Sequence, residues 1–396
     1  MMEEKRIIYL DNSATTPLSE AAKGKIVEML DIFGNPSSLH AAGDRAALAL
    51  RAARRAVLFT LGVRAMSDEQ DRQLVFTSCG TEATALALFG CAHAKKRREA
   101  KRIITTDSEH PSVENALAAL SDEGFEIIRL STRGGVLDSV ELAAALDKPV
   151  FMASLMLVNN ETGALYDVKG AFDKIKRAYP DAITHCDAVQ GYLKMKITPV
   201  TLGADLITLS AHKIHGPKGV GALYISPQIL KEKKISAFLV GGGQEHSMRS
   251  GTENMLGISA FGAAAEDGYK KIAKTVPYVV SLRDYAEELI AAADIGIKIN
   301  APVGARAPHI LSISLPNIKS QTMLNFLSAK GIYVSSGSAC SSHSNKTSPT
   351  LLAFGLSERE ADCTLRISFS DYNTKEDAEA LVLALREGIS ALVKIK

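Results

Sequence analysis

Over the first two-thirds of the chain, apolar and polar positions follow two alternating rhythms. Short runs rich in β-branched and aromatic residues predict strands: "QLVFT" (73–77), "RIITT" (102–106), "FEIIRL" (125–130), "PVFMASLMLV" (149–158), "AITHCD" (182–187), "DLITLS" (205–210) and "GVGALYI" (219–225). Between several of them lie stretches of helical period, at 81–98, 111–123 and 168–178. Several strands are apolar at consecutive positions, so both faces are covered, as in a mostly parallel sheet flanked by helices. The predicted class is α/β. A further helix near 44–61 repeats Ala46, Leu50, Ala53, Val57 and Leu61 at three- and four-residue spacing, and Gly62 ends it. Beyond about 260 the texture changes to longer helices, predicted at 259–274 and 278–292, and then a strand "HILSISL". This reads as a second, smaller domain with no flexible linker.

Bulk composition narrows the function classes. With 396 residues, 46% hydrophobic and 23% charged, the chain can bury a sizeable core. A net charge of +2 offers no broad field for nucleic acid or an anionic membrane. The cluster "KKRRE" (95–99) reads as a solvated helix end rather than a binding patch. The longest apolar stretch is too short to span a bilayer, and the first residues lack the apolar core of a signal peptide. Five scattered cysteines form no CxxC pair and no metal spacing, so a reducing, cytoplasmic setting without a metal site is expected. One of them, Cys340, stands in "SSGSACSSHSNKTSP" (335–349), a Ser/Gly-rich segment with almost nothing apolar to anchor it.

Three segments carry candidate chemistry. In "LVFTSCGTEATALALFG" a strand runs into Ser78-Cys79-Gly80-Thr81 and then a helix; such a turn can bind an anion on free N–H groups, or Ser78 or Thr81 can simply cap the helix. In "THCDAVQG", Asp187 ends an apolar strand, where it can hold a cationic ring nitrogen or cap a helix. In "DLITLSAHKIHGPKGVGALYI", Ser210, His212 and Lys213 follow a strand; a lysine facing a site can form a Schiff base, whereas most lysines face water. Taken in order, an anion turn, a strand-end Asp and a strand-end Lys supply what pyridoxal phosphate needs for its phosphate, its ring nitrogen and its aldehyde.

The chain also resembles cysteine desulfurases of the NifS/IscS type, within the class V aminotransferase family of fold-type I pyridoxal-phosphate enzymes. The matching motifs run nearly end to end: "YLDNSATTP" (9–17), "FGNPSSLHAAG" (33–43), "FTSCGTEA" (76–83), "EHPSV" (109–113), "VNNETG" (158–163), "DAVQ" (187–190), "SAHKIHGPKGVGALY" (210–224), "GGGQEHSMRSGT" (241–252), "SSGSACSS" (335–342) and "LRISF" (365–369). The resemblance implies a large domain over 16–260 with a mainly parallel seven-stranded sheet. A smaller α+β domain would be formed from 1–15 and 261–396. It implies that Lys213 binds pyridoxal 5'-phosphate covalently, that His110 stacks on its ring, and that Asp187 pairs with the ring nitrogen. Gln190 would reach the ring's phenolic oxygen, with Asn160 beside it. Gly80, Thr81, Ser210 and His212 would surround the phosphate, joined by Thr252 from the neighbouring subunit of a homodimer. Asn35 and Arg366 would clamp the carboxylate of L-cysteine, and Cys340 would take its sulfur as a persulfide and pass it to a protein acceptor, an iron–sulfur scaffold or a tRNA-thiolation enzyme. His110, and His343 on the loop itself, are candidates to lower the pKa of that thiol.

Cys79 and Gly80 depart from the Gly-Gly or Gly-Ala usual at that turn, which puts a second thiol near the phosphate site; it reads as a small packing residue. Two other readings stand beside desulfuration. One is a selenocysteine lyase or another aminotransferase-type enzyme of the same fold. The other is a scaffold binding iron–sulfur clusters, against which the cysteine spacing argues.

Overall fold

The computed structural model describes residues 6–94, 100–336 and 347–393. All seven expected strands of the first two-thirds are present and form one sheet. Its order is Leu74–Thr77, Gly221–Ile225, Leu206–Ser210, Ile183–Asp187, Val150–Met156, Arg102–Thr106, Glu126–Leu130. Gly221–Ile225 runs antiparallel to both of its neighbours, and the remaining pairs are parallel. The central strands are buried along their whole length, with the buried His185 hydrogen-bonded to Ser154 and Thr208 among the apolar residues. Helices Gly80–Ala92, Pro111–Asp122 and Val168–Ala178 supply the covering layers. The helix expected over 81–98 ends at Ala92, and the basic cluster 95–99 lies outside the described residues. The helix Ala41–Thr60 buries Ala46, Ala53 and Val57, and Gly62 follows it at φ +77°, a conformation that favours glycine.

A second sheet has the order Ser335–Ser336, Thr364–Ser368, Ile310–Ser314, Lys298–Ile299, all antiparallel. The chain's beginning joins this region: Ile8–Tyr9 pairs in parallel with Ile332–Tyr333. A separate core surrounds this sheet, with Leu10, Leu282, Ile313, Met323, Leu365 and Phe369 fully or nearly fully buried. Where two helices, 259–274 and 278–292, were expected, one helix runs from Met255 to Ala293 with Pro277 inside it. Proline lacks an N–H and crowds the preceding turn, which is why the sequence suggests a break. Here the flanking turns pack on both sides of it: Phe261, Ala264 and Ala265 belong to the large core, and Val279, Leu282 and Ala286 to the smaller one. Burial of both ends outweighs the local cost, and the helix becomes the strut between the two cores.

Pro277 is exposed, so the cost is not offset by its own packing. Pro277→Ala is expected to raise stability by roughly 1–3 kcal/mol, through the restored hydrogen bond and better helix propensity. Chemical denaturation measures this, and a loss of stability would show that the two cores need the bend proline imposes.

Candidate active site

The carboxyl ends of the central strands open into a cavity of about 350 Å³. Gly80, Thr81, His110, Asn160, Asp187, Gln190, Ser210, His212, Lys213 and Arg366 all line it. Ten positions spread over almost three hundred residues of sequence therefore meet in one place. Such a crevice is where α/β sheets present ligands.

Local structure explains each placement. Lys213 ends a single 3₁₀ turn, Ala211–Lys213, that directly follows the strand Leu206–Ser210. Its Nζ donates to the carbonyls of Ser13 (2.6 Å) and Ala14 (2.9 Å), so the amine is aimed into the site and not at water. His110 is the N-cap of Pro111–Asp122, and its Nδ1 accepts from the N–H of Ser112 at 3.1 Å. Burial pushes the His110 imidazole below its ordinary value; Asp187 opposes this and Lys213 adds to it. Asp187 is the last residue of its strand and accepts from the N–H of Val189 at 3.0 Å; no helix begins there, so it is not a helix cap. Burial pushes its carboxyl up, against Val189, His110 and Lys213, so the site favours a cation brought to it. His212 falls to about 4, through burial first and then the charges of Lys213 and Lys218, and stays neutral at physiological pH.

The turn before Gly80–Ala92 settles the question left open by its sequence. Cys79 occupies the cap position and makes no side-chain cap bond, and neither Ser78 nor Thr81 supplies one. The first N–H groups of a 13-residue helix are thus left for a ligand, with the positive end of the dipole behind them. Beside them the Ser210 hydroxyl is buried without a partner among the described residues. Glycine shapes the turn: a Cβ on Gly80 would come within 3.2 Å of Val189 across the cavity lining, and Gly221, where a Cβ would lie 2.4 Å from the Cys79 backbone, lets the next strand pack against the turn. An orphaned hydroxyl, uncapped N–H groups and a glycine-lined hollow fit a phosphate, and Lys213 and Asp187 stand across the same cavity for an aldehyde and a ring nitrogen. The residues present therefore fit pyridoxal phosphate.

Arg366 enters from the second sheet on the strand Thr364–Ser368. One Nη donates to the carbonyl of Asn160 (2.9 Å), the other to the carboxylate of Asp11 (2.8 Å), and the buried Nε has no partner among the described residues. That guanidinium is fixed in direction with a donor to spare. Two expected residues are not part of the cavity. Asn35 is exposed, and its side chain accepts from the N–H of Ser37. Thr252 is also exposed and lines a neighbouring hollow with Ser78 and Arg249. Cys340 and His343 lie outside the described residues. Of the other cysteines, Cys91, Cys186 and Cys363 are buried and Cys79 is partly exposed.

Several participants went unremarked in the sequence. Ser13 acts through its backbone carbonyl, which no side-chain pattern announces. Asp11 stands in the same "YLDNSATTP" stretch. Glu109 precedes His110 and is buried: its Oε1 accepts from Thr106 Oγ1 (2.8 Å) and Met156 N–H (2.9 Å), while Oε2 has no partner among the described residues. Burial raises this carboxyl to about 8. Glu161, adjoining Asn160, accepts from Ser348 Oγ at 2.7 Å and is pushed up to about 7, again by burial first.

Fold and cavity together define a pyridoxal-phosphate-dependent enzyme of fold-type I. A profile described as "Aminotransferase class-V" matches residues 8–381, and the chain belongs to that family. It is similar to a cysteine desulfurase of Trichormus azollae, 36% identical over 388 residues that cover 98% of this chain and 94% of the relative. It is also similar to a NifS/IcsS protein homolog of Lactobacillus delbrueckii subsp. bulgaricus, at 38% identity over 96% of this chain and 97% of the relative. A solved NifS-like protein superposes with a TM-score of 0.89 at 33% identity, covering 98% of this chain and all of that one.

Glu109 yields a stability test. Its folded carboxyl keeps its proton up to about 8 whereas the unfolded one releases it near 4.5, so the native protein is fully stabilised below 4.5 and loses stability as pH rises toward 8. Glu109→Gln keeps the shape and removes the titration. Against this variant the native protein is expected to lose a few kcal/mol across that window, at about 1.4 kcal/mol for each pH unit. Unfolding at several pH values measures it; parallel curves for the two proteins would show that Glu109 is ionised in the fold.

Proposed function

We propose that this chain is a cysteine desulfurase, which takes sulfur from L-cysteine, leaves L-alanine and carries the sulfur as a persulfide on Cys340. The observation that carries this reading is the meeting of Lys213, Asp187, His110 and Arg366 in one cavity, in a chain whose relatives bear that name. Bound pyridoxal phosphate supplies the electron sink that makes the substrate Cα–H acidic and the Cβ–S bond labile. The protein does the rest. Gly80, Thr81, Ser210 and His212 hold the phosphate, and Asp187 keeps the ring nitrogen protonated by a charge-assisted bond. Neutral His110 covers the ring face. Arg366 receives the substrate carboxylate, with Asn35 proposed to join it, and Lys213 Nζ moves the proton at Cα. Asn160 lies beside the ring, and its carbonyl fixes Arg366.

Sulfur transfer then needs a thiolate. The Cys340 sulfur attacks the substrate sulfur; the S–S bond forms as the Cβ–S bond breaks, and the carbon fragment gains protons to become alanine. A Ser/Gly-rich segment suits a nucleophile that first reaches a buried substrate and then meets an acceptor protein. We assign the acceptor to the class of iron–sulfur scaffolds or tRNA-thiolation enzymes, and the setting to the cytoplasm. No helix among the described residues is long and apolar enough to cross a membrane.

A homodimer completes the site in this reading, with Thr252 reaching the cofactor phosphate of the other subunit. Two features support it. Thr252 sits outside its own cavity, beside the phosphate turn. The segments around 36–37 and 243–246 share one hollow, and close to them in sequence Phe33, Leu39 and Val240 leave large apolar side chains exposed.

Two outcomes are expected. Cys340→Ser keeps the segment's size and polarity but removes the nucleophile, so cofactor absorbance and fold persist while alanine production is lost; Cys79→Ala should remain active. Native-like alanine release by Cys340→Ser, together with loss in Cys79→Ala, would identify Cys79 as the acceptor. Mixing Thr252→Ala subunits with Lys213→Ala subunits gives hybrids in which one site carries both lesions and the other carries neither. Activity should return in verified hybrids, and its absence would contradict a shared site.

A further inference from the structure

Gln190 stands between two partners. Its Nε2 donates to the Ser13 carbonyl at 2.9 Å, and its Oε1 faces Nε2 of His309 at 3.3 Å. Reversing the amide would set Oε1 against the Ser13 carbonyl, two acceptors in contact, so only one orientation is satisfied. Ser13 cannot turn away, because the N–H of the same peptide, on Ala14, donates to the Asp11 carbonyl at 3.0 Å.

His309 lies at the seam of the two cores. It is 1% exposed, with Ala307 and Ile310 of the large core and Leu311 of the smaller one beside it in sequence. Burial pushes its imidazole well below the ordinary value, and Lys194, Arg366, Arg283 and Lys213 push the same way, so the ring is neutral and carries a single N–H. Gln190 Oε1 can only accept, which places that hydrogen on Nε2. Nδ1 is then a buried lone pair, and no described residue partners it. Leaving a buried polar atom unpaired is costly. The ring makes no other side-chain hydrogen bond among the described residues, so the return for that cost is at Gln190.

We propose that His309 is a positioning residue that holds the Gln190 amide as a hydrogen-bond donor toward the ring oxygen of pyridoxal phosphate; the inference rests on the reading of this cavity as that cofactor's site. With Oε1 engaged by His309 and one Nε2 hydrogen on Ser13, the second Nε2 hydrogen is the group Gln190 presents to the cavity. A donor there stabilises a negatively charged ring oxygen and disfavours a protonated one. His309 thereby influences the cofactor's charge state through Gln190, itself lying one residue beyond the cavity lining.

The test strips and reloads the full-length protein with pyridoxal phosphate, following visible absorbance for the native chain, His309→Leu, His309→Gln, Gln190→Leu and the double variant His309→Leu/Gln190→Leu. His309→Leu is expected to weaken cofactor affinity about tenfold and to raise the pH midpoint of the bound cofactor's band by about one unit, since a ring oxygen without its donor retains a nearby proton to higher pH. His309→Gln, which can offer an amide N–H near the lost Nε2, should restore most of both. In the Gln190→Leu background, His309→Leu should add nothing. An unchanged midpoint in folded His309→Leu or, should that variant not fold, a midpoint in His309→Gln displaced as far as in Gln190→Leu would overturn the proposal. Additive shifts in the double variant would do the same. If the native chain itself shows no cofactor band, the reading of the cavity falls, and the inference with it.

Discussion

The site depends on one strap of backbone. Residues 11–16 cross from the second sheet to the lysine turn, hydrogen-bonded at both ends. Ser13 N–H donates to Ser368 Oγ at 2.8 Å, and the Asn12 amide donates to the Ser368 carbonyl at 2.9 Å. At the other end, Thr16 N–H donates to the His212 carbonyl at 3.0 Å, and Thr16 Oγ1 accepts from His215 N–H at 2.8 Å. Between these ties, the Ser13 carbonyl receives both Lys213 and Gln190, and the Asp11 carboxylate receives Arg366. The strap thus sets the distance between the Lys213 amine and the Arg366 guanidinium. Moving either end would displace both.

This arrangement also explains the charge pattern. The half-buried imidazoles of His110 and His212 and the buried one of His309 are held neutral, while Lys213 and Arg366 keep hydrogen-bonded oxygens that stabilise positive charge. The cavity therefore offers cationic groups at its lysine and arginine, free N–H groups at its helix end and one carboxylate at Asp187. An anionic phosphate, an anionic carboxylate and a cationic ring nitrogen each find a counterpart of opposite sign, at well-separated places in one hollow.

Much of this was legible in the sequence for physical reasons. Strands such as "DLITLS" announce themselves because burial on both faces selects apolar residues at consecutive positions, with buried polar exceptions such as Thr208 hydrogen-bonded to His185, and the candidate residues Asp187 and Lys213 stand at or just past their ends. What stayed hidden acts without a side-chain signature or against local propensity. Ser13 works through a carbonyl. Pro277 argues for a helix break that two-sided burial overrides. His309 begins the run "HILSISL" and reads there as a polar residue at a strand start; only the fold brings it to Gln190, 119 positions away in sequence. Asn35 and Thr252 carry motif matches but stand outside the cavity of their own chain.

The account turns on Lys213 being the lysine that takes the cofactor. The direct measurement is to load the native protein with pyridoxal phosphate, reduce it with borohydride, digest it and map the pyridoxyl group by mass spectrometry. The account predicts the label on the peptide carrying Lys213, at one equivalent per chain. A label on a different lysine, or none in a protein that retains its fold, would contradict it.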